Sequence, residues 1–192
     1  MKAVMISILI VLGLSLAAGA ADKPAPNPKV VLDTSKGRIV LELYLQKTPE
    51  TVINFLSYVD AKFYDGTIFH RVIPNFMIQG GGFTAEMQPK PGKGPIKNEA
   101  DKGLNNDRGT IAMARTGDPH SATAQFFINS VNNNFLNHKN KTQQGWGYAA
   151  FGRVIEGLDV VDAISAVKTT RQGVYRDVPV EPVVILSATR AK

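Results

Sequence analysis

Apolar residues alternate with polar ones in short runs along most of the chain, and in only two places does the spacing change to a helical one. Val30-Val31-Leu32 and Ile39 to Tyr44 flank Asp33-Thr34-Ser35-Lys36-Gly37, a turn whose glycine is available for positive φ. This predicts a hairpin over residues 29–45. A helix follows: Thr48 suits an N-cap, Pro49 the first helical position, and Glu50 the positive end of the dipole. Val52, Phe55, Leu56 and Val59 then form one apolar stripe, and Asp65-Gly66 closes the segment with a turn. Further strands are predicted at Thr67–Ile73, Phe76–Gln79, Thr110–Arg115, Gln125–Asn129, Ala149–Ile155 and, to close the chain, Val180–Ala188. Gly80 to Asn98 is rich in Gly and Pro and reads as a long loop. Gly157 to Val167 is the second helix, with Leu158, Val161, Ile164 and Val167 on one face. Many short strands with Gly-rich turns and two helices predict a mainly β fold, a barrel or a sandwich. No strand–helix alternation supports a parallel doubly wound sheet.

The first residues do not belong to that pattern. Met1-Lys2 is positive, Ala3 to Leu16 is apolar apart from serine and glycine, and Ala17 to Ala21 are all small. That is the layout of a secretory signal, with cleavage expected after Ala20 or Ala21. Its apolar run of 14 residues is too short to span a bilayer, which needs ~18–20. No stable membrane insertion is therefore expected once the signal is gone. Asp22 to Pro28 reads DKPAPNP, an extended tether that can be neither helix nor central strand. The expected organisation is a signal at 1–21, a tether at 22–28 and one domain at 29–192.

Composition narrows the chemistry. The 192 residues include no Cys, which excludes disulfides, Cys-ligated zinc, iron–sulfur clusters, thiol catalysis and a lipid-anchored lipoprotein. Removing residues 1–21 takes away one lysine and no acid, so the net charge falls from +6 to +5. So modest a charge, without Lys/Arg clusters, argues against a nucleic-acid partner. Gly80-Gly81-Gly82 and Gly92-Lys93-Gly94 do not fit a phosphate loop and read as flexible loop glycines. His70, His120 and His138 lie in no metal-ligand spacing, so no metal or other cofactor is expected. Ser121 and Ser130 lack the GxSxG elbow of a serine hydrolase.

What remains is a pair of strands with unusual outer faces. Period-2 alternation sets Phe69, Arg71 and Ile73 opposite His70 and Val72, pairs Met77 with Gln79, and pairs Gln125 with Phe127. One face, with Ile78, Phe126 and Ile128, would fill the interior. The other would carry Arg71, Met77, Gln79, Gln125 and Phe127. A cation and two amides beside Met and Phe can hold an apolar ring and direct hydrogen bonds at it. The alternative is an ordinary amphipathic sheet with a solvated Arg and two Gln.

Resemblance decides between these. FHRVIPNFMIQGG (Phe69 to Gly81), GTIAMAR (Gly109 to Arg115), AQFFIN (Ala124 to Asn129), NFLN (Asn134 to Asn137) and GYAAFGRVIEGLDVVD (Gly147 to Asp162) resemble the cyclophilin family of peptidyl-prolyl cis-trans isomerases. The similarity is greatest to its bacterial exported branch and runs in order over nearly all of residues 30–190. It implies a closed eight-stranded antiparallel barrel capped by two helices, with the site on the outside. By position, Arg71 corresponds to the catalytic arginine, and Phe76, Met77, Phe127 and Leu136 to the walls of the proline pocket. Gln79 and Gln125 correspond to the substrate-positioning amides, and Ala114 and Arg115 lie on the strand that binds the peptide backbone. His70 supports the site rather than taking part. The chain departs from many eukaryotic members at Phe135 (Trp there), Tyr148 (His there) and Arg115 (Asn there). These departures imply weak cyclosporin binding, no His-dependent chemistry and a shifted substrate preference.

The resemblance implies a monomeric isomerase acting on proline-containing peptides and on folding exported proteins. The leader and the bacterial character imply the periplasm, or alternatively release outside the cell. Two other readings set against this one are a holdase without turnover on the same scaffold and a hollow barrel carrying a small ligand. Phe126 and Ile128 argue for a filled interior, not a hollow one.

Overall fold

The computed structural model describes residues 26–191. The expected signal at 1–21 and the start of the tether lie outside the described residues.

The first hairpin pairs β1 (Lys29–Thr34) with β2 (Gly37–Leu43) around Ser35-Lys36. Helix α1 (Pro49–Asp60) follows, burying Val52, Phe55, Leu56 and Val59 as its spacing predicts. Thr48 stands at its N-cap but makes no capping bond. The buried carboxylate of Glu99 takes that role, accepting from the Glu50 and Thr51 amides (3.3 and 2.8 Å) and from the Thr51 hydroxyl (2.8 Å). A charge-assisted cap satisfies two of the orphan N–H groups and faces the positive end of the helix.

β3 (Arg71–Ile73), β4 (Met77–Gly80), β5 (Thr110–Met113), β6 (Phe126–Asn129) and β7 (Ala150–Glu156) come next, then α2 (Leu158–Ser165). Beyond α2 lies a two-stranded hairpin that the hydrophobic pattern does not suggest, β8 (Thr169–Gln172) with β9 (Tyr175–Pro179). Its strands are polar and largely exposed, so they carry no apolar alternation to read. The last strand, β10 (Ile185–Arg190), starts five residues later than the predicted Val180.

Eight strands form one antiparallel sheet in the order β10-β1-β2-β7-β5-β6-β4-β3. The sheet curls but does not close, contrary to the closed barrel that the resemblance implies. The edge strands β10 and β3 are not laddered to each other. The approach is left to the irregular stretch before β3, through a single bridge between Ile68 and Val184 and bonds such as Phe69 N–H to Val183 O (2.9 Å). β3 has three residues, too few to carry a ladder across that edge. Register shifts at Asp33/Thr34, Val40/Leu41 and Ile111/Ala112 supply the bulges that curl the sheet.

The concave side is filled. Phe55, Tyr64, Phe69, Phe126 and Phe151 are fully buried together, with Phe126 set edge-on to Phe55, Tyr64 and Phe69. Both helices contribute to this cluster, α2 through Val161 and Ile164. A packed interior leaves no room for the carrier reading. Phe69 is part of it, not of the Arg71 face. Regular alternation starts only at Arg71, so Phe69 and His70 are both buried.

Candidate active site

The convex face of β3, β4, β6 and β5 is built by register. Arg71 pairs with Gln79, Gln79 with Phe127, and Phe127 with Ala112. Since side chains along a strand point to one face at every second residue, this row lines up across four strands on the outside. Beside it lies a hollow of about 110 Å³, lined by Arg71, Phe76, Met77, Gln79, Ala114, Arg115, Phe127, Leu136 and Tyr148. This is the scale of the ~150 Å³ cavity that holds a benzene, so one small ring fits.

The floor is apolar. Met77, Phe127, Leu136, Ala112 and Ala150 form a second buried cluster, with Phe76 and Tyr148 packed partly over it. The Phe127 and Tyr148 rings meet edge to face at 5.6 Å. The lip is polar. Arg71 Nη1 donates to Gln79 Oε1 at the long distance of 3.5 Å, and Gln79 Nε2 donates to Gln125 Oε1 at 3.0 Å. The head of Arg71 is thus lightly held, with the side chain 44% exposed, while both glutamines are oriented.

Of the eleven residues singled out in the sequence, nine line the hollow. Gln125 stands behind Gln79 and reaches the hollow only through it. Phe135 lies on the outer rim, 65% exposed and stacked on Phe76 at 5.6 Å. Arg115 is committed to its own surroundings. It donates to Gly147 O (3.0 Å) and Thr116 O (2.9 Å), and its guanidinium sits 4.5 Å from the centre of the Tyr148 ring. Gly82 is not a free loop glycine, because a Cβ there would run into the Gln125 side chain. It gives that amide room to lie down.

Several residues that shape the site carry no signal in the sequence. Asn106, Asn129 and Asn133 are buried and joined to one another. Asn133 donates to Phe76 O (2.9 Å), and Asn106 donates to Leu136 O (3.3 Å) and Tyr148 O (3.2 Å). Three walls of the hollow are thereby held by their backbones. In the sequence Asn106 and Asn133 sit in Asn-rich stretches that read as ordinary loop, and Asn129 reads only as the last residue of a predicted strand.

His70 is buried behind Arg71 against Phe83, with ring centres 4.5 Å apart, and its Nδ1 has no partner. Burial, with the positive charge of Arg71 adding to it, lowers its pKa to about 4. It is neutral at neutral pH and offers no proton shuttle to the hollow. His120 and His138 each meet the Trp146 ring edge-on (4.7 and 5.9 Å between ring centres). Among the described residues no group of three or more His, Asp or Glu is placed to hold a metal.

Residues 29–190 match the family model "Cyclophilin type peptidyl-prolyl cis-trans isomerase/CLD". The chain belongs to the cyclophilin family. It is 67% identical over 159 residues to a peptidyl-prolyl cis-trans isomerase of Streptomyces antibioticus, covering 83% of this chain and 96% of the relative. It is 58% identical over 160 residues to peptidyl-prolyl cis-trans isomerase B of Escherichia coli K12, covering 83% and 98%. With peptidyl-prolyl cis-trans isomerase A of Dickeya dadantii it shares 50% over 187 residues, covering 97% and 96%. Among solved structures, a Cryptosporidium parvum cyclophilin crystallised in the presence of the dipeptide Ala-Pro superposes with a TM-score of 0.72. That match is 25% identical and covers 85% of this chain and 99% of that one. This cyclophilin is therefore an isomerase enzyme, and the hollow under Arg71 is its candidate active site.

Proposed function

We propose that this isomerase speeds rotation about X–Pro bonds by gripping the proline ring in the hollow and donating from Arg71 to the proline nitrogen as it leaves the amide plane. The barrier to that rotation, ~18–20 kcal/mol, is amide resonance. The planar cis and trans forms differ by only ~0.5–1 kcal/mol, so the enzyme has only to lower the barrier. At the twisted geometry the nitrogen regains its lone pair. A donor aimed there binds the transition state better than either planar form. Guanidinium is always charged and presents several N–H groups. The apolar floor of Met77, Phe127 and Leu136 strengthens that contact and favours the less charge-separated twisted amide. Gln79 holds the carbonyl side and Gln125 holds Gln79, so that rotation is confined to one bond.

The observation that carries this reading is the cross-strand row that sets Arg71 and Gln79 at the lip of a ring-sized apolar hollow. The Ala-Pro dipeptide present with the Cryptosporidium parvum cyclophilin supports a proline-containing substrate. A protease-coupled cis/trans assay on an Ala-Pro peptide tests it. The expected result is catalysis by the native chain and a loss of ~10²–10³-fold in kcat/KM for Arg71→Ala. Near-native rates from a folded Arg71→Ala protein would remove Arg71 from the mechanism, and binding without turnover by the native chain would leave a holdase.

The clients follow from the leader. The Dickeya dadantii match spans 97% of this chain, so it takes in most of residues 1–21 as well as the domain. The signal-like layout of residues 1–21 is what supports an exported isomerase acting on folding proteins in the periplasm. N-terminal sequencing of the cellular protein tests it: a start at Ala21 or Asp22 is expected, and a start at Met1 overturns it. Phe135 supplies a ring but no indole N–H at the rim, which supports weak cyclosporin binding.

A further inference from the structure

The β8–β9 hairpin, absent from the sequence pattern, reaches the site. Tyr175 packs edge-on to Phe83 at 5.1 Å, and Val178 is buried with Ile68, Phe83 and Met87. Between these two anchored residues lies Asp177, with φ +60°. That left-handed conformation is uncommon outside glycine, although Asp is among the residues that adopt it. The pairing of β8 with β9 shifts register here, between Thr170 and Gln172, and a bulge re-aims a side chain. The carboxylate is turned towards Arg71, with Oδ2 at 4.0 Å from Nε. On its other side the same guanidinium reaches Gln79. The Arg71 side chain therefore has a carboxylate at ion-pair distance on one flank and an amide acceptor on the other, and it lies at the lip of the hollow between them.

We propose that Asp177 is a positioning residue of the isomerase, holding the Arg71 guanidinium at the lip of the apolar hollow before the X–Pro bond twists. The proposal rests on the reading of Arg71 as the donor. The two side chains are 44% and 43% exposed, so water screens the pair. The carboxylate restricts where the cation sits without cancelling its charge.

Asp177→Asn tests this, since Asn keeps the size and tolerates the backbone conformation but loses the charge. In the protease-coupled assay kcat should fall about two- to fivefold, the range of an exposed ion pair, with KM within about twofold because the floor of the hollow is untouched. Between about 10 mM and 1 M salt, the native kcat should fall towards that of the variant, which stays flat. Asp177→Gly, free of backbone strain, should reproduce the kcat loss. In an Arg71→Ala background Asp177→Asn should change nothing further. A purely structural Asp177 would lower the thermal midpoint but leave kcat per folded molecule and its salt dependence as in the native protein. That result, or additive losses in the double variant, overturns the proposal. If Arg71→Ala is inactive while Asp177→Asn is native-like, positioning fails and the donor role stands. If Arg71→Ala is fully active, both fall.

Discussion

Along β4 and β6, adjacent residues face two different environments. Ile78, Phe126 and Ile128 point inward and are fully buried among rings and aliphatic chains. Gln79 and Phe127, one step along the same strands, face the hollow with Arg71. The inner face asks for volume and apolarity, and other side chains of similar shape would satisfy it. The outer face asks for identity, because only a guanidinium offers several fixed donors without risk of deprotonation. Damage should therefore appear as lost stability on one face and lost rate on the other, although the residues are neighbours.

The sharpest way to break this contrast is Phe126→Ala. Phe126 contacts Phe55, Tyr64 and Phe69, and its loss should cost about 3–5 kcal/mol in urea denaturation. That is a large share of a typical ~5–15 kcal/mol, while the folded fraction should keep its catalytic rate. A stable Phe126→Ala protein would show that the interior is not a tightly packed core. Arg71→Ala should do the opposite. Its stability should shift by no more than about 0.5 kcal/mol, against the loss of ~10²–10³-fold in kcat/KM.

His70 lies between the two faces, buried next to the catalytic candidate, and sharpens the comparison. Its folded pKa of about 4 is below the ~6.5 of an unfolded chain. Between these values the unfolded chain takes up a proton that the fold refuses. The contribution is fully present above pH 6.5 and is lost as pH falls towards 4, by up to about 3 kcal/mol. Urea midpoints at pH 4.5 and 7 should therefore differ less in His70→Leu than in the native protein. No step in isomerase rate should follow imidazole titration between pH 6 and 8. Glu99→Gln is a smaller test on the inner side. Weakening the cap of α1 should cost about 1–2 kcal/mol in thermal or urea unfolding and leave kcat unchanged. The smallest effect expected is the few-fold loss for Asp177→Asn.

Much of this is legible in the chain alone. The strands β1 to β7 and both helices follow from local period, and nine of the eleven site residues meet at one hollow. Alternation separates Phe126 from Phe127 correctly because both lie within a regular strand. It fails at Phe69 because the chain there follows two isolated bridges with irregular backbone rather than a ladder, and the period-2 rule does not hold. It misses β8 and β9 because an exposed polar hairpin buries no alternating face. The role of Glu99 is hidden for another reason. A cap is expected from the adjacent Thr48, and a carboxylate 48 residues away in sequence from Thr51 supplies it.

Neighbours along the chain are enough to set which runs become strands, which side of each strand is apolar, and which words resemble a known family. Three-dimensional packing is needed to leave the sheet open between β3 and β10, to bring buried asparagines to the walls of the hollow, and to set Asp177 facing Arg71. These are contacts between residues distant in sequence. They are selected by how the curled sheet brings strands together, and a local pattern of polarity contains no information about which distant carboxylate or amide will arrive.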